Sequence, residues 1–171
     1  MFVTESERLF YRWLEPADFE DLKTMLADAR VMYAWEHTFS DEQIADWLQK
    51  QEECYRQDGV GYFAAVDKAS GDIIGQIGLH RFTLHGQTAF EVCYMLKYSY
   101  FHQGFALEGA KAMTDYAFSK LGVSAVYAQV KTDNTASMNV AERAGFVQDS
   151  VFVKRYNGKD MPHFLCIKKK M

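Results

Sequence analysis

His102-Gln-Gly104-Phe-Ala106 opens a helical pattern just after the apolar run Phe90 to Lys97 (FEVCYMLK), and Asn134-Thr-Ala-Ser137, running on to Ala144-Gly145-Phe146, opens and closes a second one. The order is strand, loop, helix, strand, loop, helix. Tyr98 to Gln103 is a polar and aromatic loop, and from Ala106 the small or apolar positions Ala106, Ala110, Met113, Ala117 and Leu121 make one stripe of a 3.6-period helix. Gly122 supplies a left-handed stop. A glycine in the turn before such a helix lets the main chain approach a ligand closely. The free N–H groups of the first turn, backed by the helix dipole, form an anion site in which a pyrophosphate would fit.

Helix N-termini are generic anion sites, so sharper motifs need testing. Gly104-Phe-Ala-Leu-Glu-Gly109-Ala-Lys111 approximates a P-loop, but its lysine is one residue late, about 100° around a helix, and no Ser or Thr follows to hold magnesium. A kinase or NTPase is excluded on that ground. The dinucleotide fingerprint needs three glycines, whereas positions 102 and 107 are His and Leu; Asp133 after the next strand keeps it as a competing reading.

The second half adds the deciding combination. Val123 to Lys131 (VSAVYAQVK) reads as a strand and Thr132-Asp-Asn134 as a turn. Ala136, Val140, Ala141 and Ala144 then fall on one helical face. Gly145 lies just past that helix, with Phe146 set to pack back on Ala141 as in a Schellman ending.

This order and spacing resemble the GNAT family of N-acetyltransferases, in the subgroup of the ribosomal-protein alanine and spermidine acetyltransferases, over nearly the whole chain. Glu5-Ser-Glu-Arg8-Leu9 with Leu14-Glu-Pro16-Ala-Asp18 resembles that subgroup's start. His102 to Glu108 resembles its pyrophosphate loop, and Asn134-x-x-Ser137 followed by Glu142-Arg-Ala-Gly145-Phe146 resembles its second signature. The fold implied is mixed α/β (α+β), a mostly antiparallel sheet with helices on both faces, forming a single acetyltransferase domain over residues 1–171.

Composition sets limits. The chain has 171 residues, 49% of them apolar, the size of one domain with one core. Its apolar runs are too short to span a bilayer and its N-terminus lacks a signal-peptide pattern, so a cytoplasmic protein without a membrane partner is expected. Cys54, Cys93 and Cys166 are widely spaced, outside any CxxC, and are expected to be reduced core thiols, with no metal. Cys93, inside the apolar strand, reads as packing. A net charge of −4 argues against a nucleic-acid partner while tolerating a cationic substrate.

The remaining segments complete the frame. Leu9 to Trp13 reads as the first strand. Pro16 starts a helix with Phe19, Leu22, Met25 and Leu26 on one face. Ser40 and Gln43 form a capping box for a second helix, flanked by Phe39 and Ile44 at the staple positions and striped by Ile44, Trp47, Leu48 and Tyr55. Gly61 to Asp67, Ile73 to Phe82 and Gln87 to Lys97 read as strands, and Gln148 to Tyr156 with His163 to Lys168 as a hairpin around Asn157-Gly158.

The resemblance implies acetyl-CoA as cosubstrate and a primary amine as acceptor, taken by a monomer or a homodimer. It assigns the pyrophosphate to the N–H groups from His102 through Gln103, Gly104 and Phe105 to Ala106, the thioester to those of Met95 and Leu96, the pantetheine arm to Asn134 and the ribose phosphate to Arg143. Tyr33, Trp35 and Glu36 would line the acceptor side. Relatives with Tyr four residues before the Gly-Phe pair use it as the acid that reprotonates the thiolate, but this chain has Ala141 there. Others carry Glu five residues before the Asn, where this chain has Gln129. Ser137 stands in as the candidate acid, with helix capping as its alternative role.

An amine with a pKa near 10 must lose a proton before attack, so the site needs a base. Glu91 is the first choice, because a carboxylate within an apolar strand is costly unless it faces a wet cleft or a partner. His80 on the preceding strand is the second. Three functional classes follow: an amine acetyltransferase, a catalytically weak acyl-CoA-binding sensor of the same fold, and a dinucleotide-binding oxidoreductase.

Overall fold

The computed structural model describes residues 1–170. Its strands are β1 (Phe2–Glu5), β2 (Leu9–Trp13), β3 (Tyr62–Asp67), β4 (Ile73–Leu84), β5 (Gln87–Leu96), β6 (Ala125–Lys131), β7 (Val147–Tyr156) and β8 (Lys159–Lys169). They form one sheet in the order β1-β2-β3-β4-β5-β6-β8-β7. Only the β5–β6 contact is parallel among the pairings described. The expected mixed, mostly antiparallel sheet is therefore present.

The helices are α1 (Phe19–Leu26), α2 (Asp41–Asp58), α3 (Phe105–Tyr116) and α4 (Thr135–Arg143). Period-2 alternation in the strands divides the core between the two faces of the sheet. Tyr62, Ala64 and Val66 of β3 pack with Leu22 and Met25 of α1 and Ile44 and Trp47 of α2. Phe63 and Ala65 face the opposite way, with Ile77, Leu79, Met113 of α3 and Ala141 of α4. Burying a side chain such as Leu22 or Met25 contributes about 1.5–3 kcal/mol.

Local sequence chemistry sets the ends of the helices. The Ser40 hydroxyl accepts from Gln43 N–H and the Gln43 side chain accepts from Ser40 N–H, so the capping box is formed. At the end of α4 the Phe146 N–H reaches the Ala141 carbonyl at 3.0 Å and the Gly145 N–H reaches Glu142 at 2.9 Å, the Schellman pair. Gly109 lets α3 lie close on the sheet: a Cβ there would stand 2.4 Å from Ile77 Cδ1. The turn Asn157-Gly158, with φ of 48° and 74°, closes the last hairpin.

Three expectations change. β1 precedes the strand read as first, and Phe2-Val3-Thr4 supplies its β-forming side chains. Ala136 is exposed rather than core-facing, because the buried stripe of α4 runs back from Ala141 through Met138. The last strand begins at Lys159 rather than His163.

Candidate active site

The β5–β6 pairing is reduced to a single register, Glu91 opposite Tyr127, and beyond it the two strands diverge. In an antiparallel pair the N–H groups alternate in direction along each strand. Lys97 N–H donates to the Ile74 carbonyl at 2.8 Å, on the β4 side. The Met95 N–H therefore also faces β4, opposite Gln76, and those of Leu96 and Tyr94 face the gap. This corrects the expected pair of amides: Tyr94 takes the place given to Met95.

At the wide end of the gap lies the turn into α3. His102 and Gly104 both have left-handed backbones, with φ of 60° and 83°. Gly104 is the N-cap and offers no side-chain oxygen to the helix. Among the described residues no protein acceptor takes the N–H groups of His102, Gln103, Gly104, Phe105 or Ala106. The loop is anchored by Arg8, whose Nη1 donates to the Gln103 carbonyl at 3.1 Å and whose Nε donates to Glu108 at 2.7 Å. Its guanidinium lies 4.0 Å over the Phe105 ring. The result is a fixed anion cradle at a helix N-terminus.

α4 borders the other side of the gap. Asn134 Oδ1 accepts from Ser137 N–H at 3.0 Å, so Asn134 is the N-cap and Ser137 is not. Tyr33, in the 3-10 turn Tyr33–Trp35, donates its hydroxyl to the same oxygen and ties that turn to α4. The Tyr94 hydroxyl, an interaction that sequence reasoning missed, donates to the Ser137 carbonyl at 2.9 Å and meets Ser137 Oγ at 2.9 Å. Burial, opposed by that hydrogen bond, lifts the Tyr94 pKa to about 12, so it stays a neutral phenol.

A cavity of about 520 Å³ opens from this gap toward the α1–α2 face. Glu91, His80, Trp35, Asn134 and Ser137 all line it. His80 and Glu91 are direct cross-strand partners and Cys93 stands opposite Gly78, so the three side chains share one face. Their ligand-type atoms lie within 4.8 Å of one another. Burial raises the Glu91 pKa to about 7, an effect that the Lys154 charge opposes. Burial, reinforced by the charges of Lys50 and Lys154, lowers that of His80 to about 4, leaving a neutral imidazole whose Nε2 has no partner among the described residues. The Cys93 thiol is pushed well up by burial and by Glu91. This trio is also the donor set that a soft divalent ion would use, with two ammonium groups opposing a cation. Cys93, read as strand packing, is thus part of the cavity wall.

Aromatic rings form the outer wall. Trp35 meets Phe39, Trp47 and Tyr156 edge-on, and Trp47 is pinned by its Nε1 donating to Gln76 Oε1 at 3.0 Å. Glu36 does not line the cavity as expected. Its left-handed backbone turns the carboxylate onto Lys131 at 2.8 Å and Lys159 at 2.7 Å, which hold its pKa down at about 2. Arg143 is exposed in the last turn of α4, about 9 Å of helical rise beyond Ser137 and outside the cavity lining. Ala141 is core, so no hydroxyl stands four residues before Gly145.

The geometry can therefore hold an extended ligand with an anion at the α3 turn and a reactive end between Glu91 and Ser137. Glu91 and Ser137 reach that end from opposite faces of the sheet. A family model described as an acetyltransferase (GNAT) domain matches residues 8–147. The chain is 28% identical over 151 residues to the uncharacterized N-acetyltransferase YoaA of Bacillus subtilis, covering 87% of this chain and 85% of that protein. Among solved structures, the GNAT-family acetyltransferase from Bacillus anthracis superposes with a TM-score of 0.83 at 24% identity, over 99% of this chain and 98% of the other. The spermidine N-acetyltransferase from Vibrio cholerae, in complex with CoA and spermine, does so with a TM-score of 0.76 at 19% identity, over 95% of each chain.

Proposed function

Because the chain belongs to the GNAT acetyltransferase family, we propose that it moves the acetyl group of acetyl-CoA directly onto a primary amine, without a covalent enzyme intermediate. The observation that carries this reading is the gap between β5 and β6, flanked by amides of the α3 turn that are unpaired among the described residues and by a half-buried carboxylate, Glu91.

The amides from His102 to Ala106 hold the pyrophosphate, and the Asn134 side chain bonds the pantetheine arm. The N–H groups of Tyr94 and Leu96 take acceptors in the gap, one of them the thioester oxygen, whose developing negative charge such a donor stabilises. Glu91, ionised above about pH 7, removes a proton from the incoming ammonium. The neutral amine then attacks the acetyl carbon, the carbon–sulfur bond breaks, and the surplus proton on the new amide nitrogen replaces the one that the Ser137 hydroxyl passes to the departing thiolate, so that serine ends protonated. The acceptor class is an amine in the widest sense, from a protein N-terminus or a polyamine to a small metabolite.

The test is a panel of amines with acetyl-CoA, read by mass of the acetylated product and by chromatography of free CoA, since the three free cysteines would interfere with thiol dyes. Product on at least one amine supports the reading. Acetyl-CoA binding without turnover on any amine would favour the acyl-CoA sensor instead.

A further inference from the structure

The charges and rings that line the cavity distinguish between amine acceptors. Its cationic lining comes from Lys50 of α2, Lys131 of β6 and Lys154 of β7, against one carboxylate among the described residues, that of Glu91. Lys131 is already engaged by Glu36 and Asp133 at 2.8 and 3.1 Å. Lys50 and Lys154 take no ion pair or hydrogen bond among the described residues, although they come from two different elements to one cavity. Both are solvent-exposed and line the mouth of the cavity, from where their charges act on His80.

Between these charges the walls are flat and apolar. Trp47 lies 5.4 Å from Tyr62 and 6.0 Å from Trp35, ring centre to ring centre, and Tyr62 lies 4.7 Å from His80. At the base, Glu91 and the unpartnered Nε2 of His80 offer two acceptors for the N–H groups of one amine. A polyamine would carry its second and third ammonium groups toward Lys50 and Lys154, where like charges repel and, among the described residues, no further carboxylate lines the cavity to receive them. A zwitterion reverses the sign of that interaction.

We propose that the acceptor is a small primary amine of amino-acid size, with an aromatic or otherwise flat apolar body and an anionic group. Its amine sits at Glu91, its body against Trp35, Trp47 and Tyr62, and its anion at Lys50 and Lys154. This rests on the acetyl-transfer reading and narrows it.

Matched acceptor pairs test it: tryptophan against tryptamine, phenylalanine against phenethylamine, and 4-(aminomethyl)benzoate against benzylamine, with spermidine and a short peptide alongside. The expected result is a kcat/KM at least about tenfold higher for the carboxylated member of one or more pairs, the scale of a charge-assisted contact. That ratio should fall by about tenfold in Lys50→Ala/Lys154→Ala, mainly through KM, and should invert in Lys154→Glu. Preference for the uncharged-body amines, for spermidine or for the peptide overturns the proposal while leaving acetyl transfer intact. So does a ratio that the lysine variants do not change. Binding of acetyl-CoA with no turnover on any of these amines overturns the proposal, and the absence of product across the broad amine panel as well overturns acetyl transfer itself.

Discussion

The Tyr94 hydroxyl donates to the Ser137 carbonyl at 2.9 Å and lies 2.9 Å from Ser137 Oγ, so a side chain of β5 fixes the first turn of α4 across the gap. With its own proton committed to the carbonyl, the tyrosine accepts from the serine, and Ser137 can pass a proton only by turning from Tyr94 to the thiolate. A free thiol has a pKa of roughly 8.5, so the gain from an acid is modest at neutral pH. Ser137→Ala should lower kcat by about 10- to 10²-fold with the acetyl-CoA Kd nearly constant. Tyr94→Phe should cost less turnover but about 1 kcal/mol of stability, the worth of one buried hydrogen bond. Unchanged kcat in Ser137→Ala would end its assignment.

Capping gives an independent check on the same helix. Since Asn134 and not Ser137 caps α4, Asn134→Ala should lower stability by about 1 kcal/mol or more, whereas Ser137→Ala, which loses only its contact with the Tyr94 hydroxyl, should lower the melting temperature less. The reverse order in thermal melts would contradict the observed cap.

The choice of cap shows where the sequence stops being informative. Ser40-x-x-Gln43 and Gly145-Phe146 were legible because each motif is satisfied within a few residues of itself. Asn134 and Ser137 are both good cap residues three positions apart, and local chemistry alone does not choose between them. The Tyr94–Ser137 contact spans 43 residues in sequence and was invisible in a run that read only as apolar strand. Met95 and Leu96 alternate in direction, and which one faces the gap depends on pairing with β4, a tertiary fact. Glu91 stood out because a carboxylate amid apolar neighbours breaks the local pattern, whereas Glu36 read as a site residue until Lys131 and Lys159, far along the chain, proved to hold it.

Glu91 makes a prediction in two observables. As the base with a pKa near 7, it should give a kcat/KM that falls below about pH 7, and Glu91→Gln should lose about 10²-fold in kcat together with that acidic limb. The stability effect has the opposite sign. The folded pKa is raised above the ordinary 4.5, so the native state is favoured by Glu91 protonation below pH 4.5 and loses that advantage as pH rises through 7. The full penalty above pH 7 is on the order of 3 kcal/mol. Glu91→Gln should therefore melt higher than the parent at pH 8 and similarly at pH 4.5. A variant with normal turnover and no pH-dependent gain in stability would reduce Glu91 to a cavity-wall residue.

Gly104 tests the anion cradle. Its φ of 83° is strained for any side chain, and a Cβ there would stand 3.5 Å from Arg8 Nη2. Gly104→Val should raise the acetyl-CoA Kd by about tenfold or more, by turning the neighbouring amides out of register. Calorimetry with unchanged affinity in a folded variant would move the pyrophosphate elsewhere.

Arg8 yields the most discriminating of these tests, because it has two separable tasks. Its Nε and backbone N–H donate to Glu108, and its Nη1 donates to the Gln103 carbonyl that closes the turn. Burial would raise the Glu108 pKa, but hydrogen bonds from Ser6 and Arg8 outweigh it and leave the carboxylate ionised in the first turn of α3. An anion is bound beside a fixed negative charge only while Arg8 neutralises it. Arg8→Ala should raise the acetyl-CoA Kd by about tenfold, and Arg8→Lys should recover part of the loss, since an ammonium keeps the charge but not the fork. Adding Glu108→Gln to Arg8→Ala should restore a further several-fold if charge is the main term, and little if the Gln103 contact is. Weaker binding with increasing salt in the parent, and a flatter dependence in the double variant, would separate the same two terms. If Arg8→Ala bound acetyl-CoA as the parent does, the clamp would serve only to join β2 to α3.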